Sequence, residues 1–351
     1  MKSPDHIKLE PLKEVLKRQI PINVGEPIPM IVYDIDHPKN CGDPWIGAYS
    51  KHGFWYKFTD GTNDDYEKVV ARAYESDSYK IDYGSMKVWK NAAFFNCKFI
   101  VAKNQSDEVL GSIAVACFNN FAVIGVYYVI EEYRHSVSHL ASKCCRFGLA
   151  ISLQQKWKFV TYQISNPSAF PTLQEREVTI VKYSDLSEAE LVALMRYDTD
   201  VVHLNRNLWL REWLQRENLN VCIAFKENTI VGYGCSREVA GGYVLPLLVG
   251  PLYADDFKTA SALLHASLEK YYKPDEDYDW DPDIFAIYRR NVYFIVPEQN
   301  TQMIALMDKF RGEGGIVSKD RLYYITQSTH NLPDVEFERV FAVSDIHLFP
   351  I

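Results

Sequence analysis

The chain has 351 residues, with 38 basic and 46 acidic side chains and a net charge of −8. Charged residues make up 24% and hydrophobic ones 47%, the balance of a folded globular protein, which excludes collagen-like, low-complexity and disulfide-miniprotein classes. No run is apolar for long enough to span a bilayer and no basic run carries interleaved aromatics, so neither a membrane nor a nucleic acid is an expected partner.

In chain order, residues 1–52 read as an irregular lead-in. They are punctuated by Pro21, Pro27, Pro29, Pro38 and Pro44, with one short strand at Met30–Tyr33. Phe54–Thr59 reads as a strand. Asn63 or Asp64 caps a helix to about Glu75, with Tyr66, Val69, Val70 and Ala73 on one face. A short helix follows at Ser85–Asn91. Three strands come next, at Cys97–Ala102, Val109–Phe118 and Phe121–Ile130, separated by Gln105-Ser106-Asp107 and Asn119-Asn120. A helix begins at Ser136 or Ser138, and Lys156–Ile164 is a further strand.

Pro167 and Pro171 mark a boundary, after which the same order begins again. Glu177–Lys182 is a strand, Ser184-Asp185-Leu186-Ser187 leads into a helix to about Arg196, and Leu208–Gln215 is a second helix. Strands at Asn220–Lys226, Thr229–Glu238 and Gly242–Leu252 precede a helix at Phe257–Tyr272. A strand within Ile284–Val296, a helix at Thr301–Phe310 and a strand at Arg321–Thr326 complete the pattern. Val231-Gly232 stands 121 residues after Leu110-Gly111, each pair in the second strand after a turn. The same displacement carries strand onto strand and helix onto helix, so the chain reads as a duplicated αβ unit of ordinary domain size. The expected domains are 53–166 and 175–328, with 329–351 as a C-terminal extension.

Twice a strand runs through a tight turn into a helix start, where unpaired N–H groups favour phosphate. The first copy is Val126–Arg134 before Ser136; the second is Leu248–Asp256 before Phe257. The order of elements, the duplication and Val129-Ile130-Glu131-Glu132-Tyr133-Arg134 resemble the GNAT superfamily of acyl-CoA N-acyltransferases. Gly250-Pro251-Leu252-Tyr253-Ala254-Asp255-Asp256, with Ala260 and Leu263-Leu264, is similar to the C-terminal half of YitH-type GNAT proteins. The resemblance covers residues 53–328. It implies an α/β fold of two tandem GNAT-like units, each a mixed, mostly antiparallel sheet flanked by helices.

The family's turn motif is partly kept. Val129, Tyr133 and Arg134 match in the first half, where Glu131 stands at the proline and His135, Val137 and His139 stand at three glycines. Val249, Pro251 and Tyr253 match in the second, where Ala254 stands at the arginine and Asp255, Phe257 and Thr259 at the glycines. Of a later motif, Asn300, Leu306 and Lys309 match, and Met307 falls where a tyrosine protonates the departing thiolate.

The implied activity is acetyl-CoA-dependent N-acetylation of a small amine by direct attack on the thioester, with acetyl-CoA as co-substrate and at most one working site. The implied cofactor-binding residues are Val129, Arg134, Ser136, Ser138, Val249, Gly250 and Asn300. Glu131 and Glu132, at the strand end, are the candidate catalytic bases, although paired glutamates at a strand end are more often simply solvated. The alternative is a non-catalytic duplicated scaffold that binds a ligand or a protein partner, which the missing glycines and tyrosine favour.

Other clusters carry less chemistry. His135, His139 and Cys144 have no carboxylate at ligand spacing, so no metal is expected. Trp209 and Trp213, with Arg206 and Arg211, either line an amine pocket or pack the two halves together. The carboxylates from Asp275 to Asp281 read as a solvated loop. Seven cysteines, an odd number without a CxxC, read as reduced core thiols of a cytoplasmic protein, and Met1–Leu12 lacks the apolar stretch of a secretory signal. No pattern specifies an oligomeric state.

Overall fold

The computed structural model describes residues 47–49, 55–77, 80–92, 96–117, 122–134, 157–165, 178–241, 245–271, 291–312, 316–325 and 333–345. The strand expected at Met30–Tyr33, the helix expected from Ser136 and the acidic run after Asp275 lie outside the described residues.

The first half opens with β1 (Gly47–Tyr49) and β2 (Trp55–Asp60), then α1 (Asn63–Asp77) and α2 (Ser85–Asn91). The cap of α1 is Thr62, ahead of the two residues expected. Its hydroxyl accepts from the Asp65 N–H at 3.1 Å, and the Asp65 carboxylate accepts from the Thr62 N–H at 2.9 Å. This reciprocal pair satisfies two donors that the first turn would otherwise leave open. Tyr66, Val69, Val70 and Ala73 form the buried stripe that the spacing predicts. Strands β3 (Asn96–Lys103), β4 (Val109–Cys117) and β5 (Ala122–Val129) follow, and the short helix α3 (Glu131–Arg134) leaves the end of β5. The five strands pair in the order β1-β2-β3-β4-β5, antiparallel throughout.

Strand β6 (Lys158–Ser165), read from sequence as the last strand of the first unit, does not join that sheet. It pairs antiparallel with β11 (Val292–Pro297) on one side and with β12 (Ile316–Ile325) on the other. Its composition fits an inner position. Val160, Tyr162 and Ile164 enter one hydrophobic core, while Phe159 and the preceding Trp157 enter the other. One face of the strand is apolar along its length, and the other is apolar at its start, where Phe159 and Trp157 are buried.

The second half begins with β7 (Thr179–Lys182) and α4 (Glu188–Val202). Ser187 and Glu190 form a full capping box at the start of α4. The helix runs past Arg196 because Tyr197, Val201 and Val202 continue its buried stripe, and it closes on His203 with a left-handed φ of 52°. Then come α5 (Asn207–Leu214), β8 (Leu219–Lys226), β9 (Thr229–Glu238), β10 (Leu247–Ala254), α6 (Phe257–Leu268), β11, α7 (Thr301–Gly312), β12 and β13 (Val340–Ala342). The second sheet has the order β12-β6-β11-β10-β9-β8-β7, with β13 off that path on β10. Its pair β10/β11 is parallel, so this sheet is mixed.

Two groups of buried residues join the halves. Trp89 of α2 meets Trp209 of α5 at 5.7 Å between ring centroids, and Trp209 stacks on Trp213 at 5.0 Å. The paired tryptophans therefore pack one half against the other, the second of the two readings of that cluster. Trp209→Ala is expected to destabilise the fold by about 3–5 kcal/mol in denaturant titration, because it empties a fully buried site between two helices.

The second group is ionic. Asp82, ahead of α2, receives Ser85 Oγ at 2.8 Å, Arg237 Nε of β9 at 2.7 Å, and the Arg216 guanidinium. Burial alone would push the Asp82 carboxyl up, but Arg216 and Arg237 outweigh it and hold it at about 2. A separate buried pair, Arg206 Nε to Asp198 at 2.9 Å, ties the end of α4 to the start of α5.

Among the described residues no helix is long and apolar enough to cross a membrane.

Candidate functional site

The two halves share one device. In each, the strand that precedes the turn carries a bulge, and a glycine on its neighbour packs against a carbonyl just beyond it. In the first half Ser112 pairs with Tyr128 and Ala114 with Gly125, so Val126 and Tyr127 oppose a single residue of β4. In the second half Gly234 pairs with Leu252 and Ser236 with Val249, so Gly250 and Pro251 oppose a single residue of β9. A Cβ on Gly111 would lie 2.8 Å from the Tyr128 carbonyl oxygen, and a Cβ on Gly232 would lie 2.7 Å from that of Tyr253. The repeat read from Leu110-Gly111 and Val231-Gly232 is thus a repeat of strand packing.

Bulges bend a strand and re-aim its backbone groups. Val126 takes a left-handed φ of 46°, costly for a β-branched residue, and its carbonyl accepts from Ser112 Oγ at 2.8 Å. Strain of this kind persists only where its surroundings over-determine it, and it clusters at functional sites. On the far side of the bulge the Ile130 N–H returns to the Leu110 carbonyl at 2.9 Å, and α3 begins at once.

The predicted residues of the first half gather at this strand end. Val129 is the last residue of β5, half-buried and opposite Gly111. Arg134 folds back over it: Nε donates to the Val129 carbonyl at 2.6 Å, and the guanidinium lies 5.7 Å from the Tyr128 ring centroid. Glu131 and Glu132 open α3 and are exposed. Ser136 and Ser138 lie outside the described residues. The outer edge of β5 is paired to no strand among the described residues, since β6 has left for the second sheet.

The second half treats its equivalent edge differently. Strands β10 and β11 pair over three residues only, Leu247–Val249 against Val292–Phe294. Beyond Val249 they part, and β13 enters the gap. Leu252 pairs with Ala342 and Tyr253 with Val340, antiparallel, while the Val343 N–H donates to the Ile295 carbonyl of β11 at 2.9 Å. Val249 and Gly250 are fully buried beneath this segment. The Gly250 carbonyl accepts from Arg237 Nη1 at 2.9 Å and from the Cys235 thiol at 3.1 Å. Burial pushes that thiol up to about 11, so it stands protonated at neutral pH.

Asn300 is fully buried. Its side-chain N–H₂ donates to the carbonyls of Phe337, Glu338 and Val340 at 3.1, 3.2 and 2.8 Å, and its Oδ1 accepts the Met303 N–H at 2.8 Å. The N–H₂ and the oxygen of this amide are both thereby engaged within the protein. The structure therefore separates the predicted residues into three places: Val129, Arg134, Glu131 and Glu132 together at the end of β5, Val249 and Gly250 under β13, and Asn300 against the residues leading into β13. Sequence reasoning missed Arg237 and Val126. A central strand residue with a long charged side chain was the available signal for Arg237; nothing in the sequence marks Val126.

A family model described as an acetyltransferase (GNAT) domain matches residues 194–274, which lie within the second half. Among solved structures, the chain is similar to a putative acetyltransferase from Pyrococcus horikoshii, with a TM-score of 0.50 and 17% identity over 88% of this chain and 98% of that one. It is similar also to a tandem GNAT protein from the clavulanic acid biosynthesis pathway, with a TM-score of 0.51 and 13% identity over 78% of this chain and 98% of that one. No curated protein matches the chain in sequence. At such identities the likeness establishes the fold, two GNAT-like units in tandem, and leaves the chemistry to the residues themselves.

Proposed function

We propose that the protein is an acyl-CoA-dependent N-acyltransferase whose working site is the end of β5 in the first unit, with acetyl-CoA as co-substrate and a small amine as acceptor. The observation that carries this reading is the contrast between the two bulged strands: among the described residues β5 pairs with no strand on its outer edge, and the edge of β10 is filled. The backbone groups along a free edge can bind an extended amide-bearing arm as a neighbouring strand would. The matching family model and the tandem fold support acyl transfer as the reaction class. The second unit then holds the place of the divergent unit in YitH-type proteins. Cys222 and Cys235, buried and not joined in a disulfide, fit a cytoplasmic setting.

In this reading the neutral amine attacks the thioester carbonyl, the C–N bond forms as the C–S bond breaks, and the thiolate leaves as CoA. A backbone N–H at the bulged strand stabilises the oxyanion. Glu131 or Glu132 takes the amine proton, directly or through water. Arg134, already anchored on Val129, meets the phosphates.

Calorimetric titration with acetyl-CoA, alongside release of free CoA with a panel of primary amines, tests the proposal. Micromolar binding is expected, weakened about tenfold or more by Arg134→Ala, which removes a charge-assisted contact. The double variant Glu131→Gln/Glu132→Gln is expected to lower turnover roughly a hundredfold or more with binding retained. Absence of heat and of thermal stabilisation at millimolar acetyl-CoA would sink the proposal. A duplicated scaffold is the second reading, and the filled edge of β10 favours it, because the unit that the family model matches is the closed one. It predicts no release of CoA with any amine.

A further inference from the structure

We infer that the cleft of the second unit has a permanent occupant, the chain's own segment 335–345, lying along β10 where a thioester arm would otherwise lie. That an acyl-thioester arm is what it displaces rests on the acyltransferase reading above; the occupancy rests on geometry alone.

The segment behaves as a strand in the plane of the sheet. Phe341 and Ala342 enter the core beneath α6 and α7, while Val340 and Val343 enter the core shared with α1, α2 and α5. It therefore joins the two cores across the gap between β10 and β11. From Val340 to Ser344 its residues are at most 1% exposed. A surface loop laid over a cleft would leave one face in water.

It is also fixed at both ends and at its entry. At the entry, the Glu336 N–H donates to the Val201 carbonyl of α4 at 3.0 Å, and Phe337 packs edge-on against Trp157 at 5.4 Å. The Asn300 N–H₂ donates to the carbonyls of Phe337, Glu338 and Val340. Arg339 reaches Asp255, just past the end of β10, at 2.6 Å. At the exit, Arg237 Nη2 donates to the Ser344 carbonyl at 2.6 Å while its Nη1 holds the Gly250 carbonyl. One guanidinium thus bridges the bulged strand and the segment beside it, and its Nε rests on Asp82 of the first half. Displacing the segment would strand the Arg237 Nη2 donor and the Asn300 N–H₂ without these partners in the interior, which is costly. The contacts build a fixed element of the core.

Hydrogen–deuterium exchange on the full chain, read with and without acetyl-CoA and paired with calorimetric stoichiometry, tests this. The amides of Val340 to Val343 are expected to exchange at least about a thousandfold more slowly than an unstructured peptide, as core strands do. Added acetyl-CoA is expected to leave that protection unchanged, with one equivalent bound per chain. Loop-like exchange in the free protein would overturn the inference. So would loss of protection on adding acetyl-CoA, or two equivalents bound. Protected amides with no acetyl-CoA bound at all would leave the occupant in place and remove only the acyltransferase reading.

Discussion

Asp82→Ala is expected to cost about 3–5 kcal/mol of stability, measured by urea or guanidinium titration at neutral pH. The carboxylate is almost wholly buried and is the shared partner of two guanidinium groups, Arg216 and Arg237, whose own side chains are 7% and 0% exposed. Removing it takes away the carboxylate that the two buried guanidinium groups share. Asp82 also orders its own turn, accepting the Gly84 N–H and the Ser85 hydroxyl at 2.8 Å each. Since Arg237 belongs to β9 and Asp82 to the first half, the loss should loosen the junction between halves as well as the turn. Asp82→Asn keeps the volume and discards the charge, so most of the loss should persist in it. Adding Arg237→Met to Asp82→Ala should recover part of the stability, because an apolar chain in that place needs no counter-ion. Strict additivity of the two losses would contradict this account.

The same group sets an acid limit. Its folded pKa of about 2 lies below the value of an unfolded aspartate, so the folded state holds its proton less tightly than the unfolded chain does. The stabilisation is complete above about pH 4 and fades as pH falls through about 2. Wild-type protein should therefore lose stability steeply across that window, and Asp82→Asn should show a shallower slope there.

Much of the architecture was legible because local signals and packing agree. The stripe of Tyr66, Val69, Val70 and Ala73, the Ser187–Glu190 capping box and the whole of β9 follow from periodicity and cap chemistry. Val129 to Arg134 fall at one strand end because they are contiguous in sequence, so their shared place needed no long-range information. What was not legible depends on partners remote in the chain. Lys158–Ser165 reads as a strand from its own residues, but only the second core decides which sheet takes it. Val340–Ala342 is too short for a periodic signal, and burial on both faces removes alternation. Asn300 fits a cofactor motif by type and spacing, yet the carbonyls that engage it stand 37 to 40 residues later. A buried amide is specified by what surrounds it, and one local motif is silent on that.

Gly250→Ala is expected to destabilise the second unit by more than about 3 kcal/mol, among the most damaging substitutions open to this chain. A Cβ at that position would lie 2.0 Å from the Val343 carbonyl oxygen and 2.8 Å from its carbon. Both obstacles are backbone, so no side-chain rotation relieves them. The residue's φ of 150° adds strain for any side chain. Relief requires the segment beside β10 to move outward. That movement would break the Val343 bond to Ile295 and pull the Ser344 carbonyl from Arg237, whose Nη1 is held by Gly250 itself. Loss at one residue therefore spreads to the β10/β13 pairing, to Arg237 and through it to Asp82. Gly111→Ala is the informative control. There the added Cβ meets the Tyr128 carbonyl at 2.8 Å, on β5, which pairs on its outer edge with no strand among the described residues, so β5 can shift outward without breaking a described strand pairing. Thermal unfolding of the two variants should rank Gly250→Ala well below Gly111→Ala, with exchange at Val340 to Val343 accelerated in the former alone. Equal losses, or a wild-type midpoint for Gly250→Ala, would mean that the C-terminal segment does not lie against the bulge of β10.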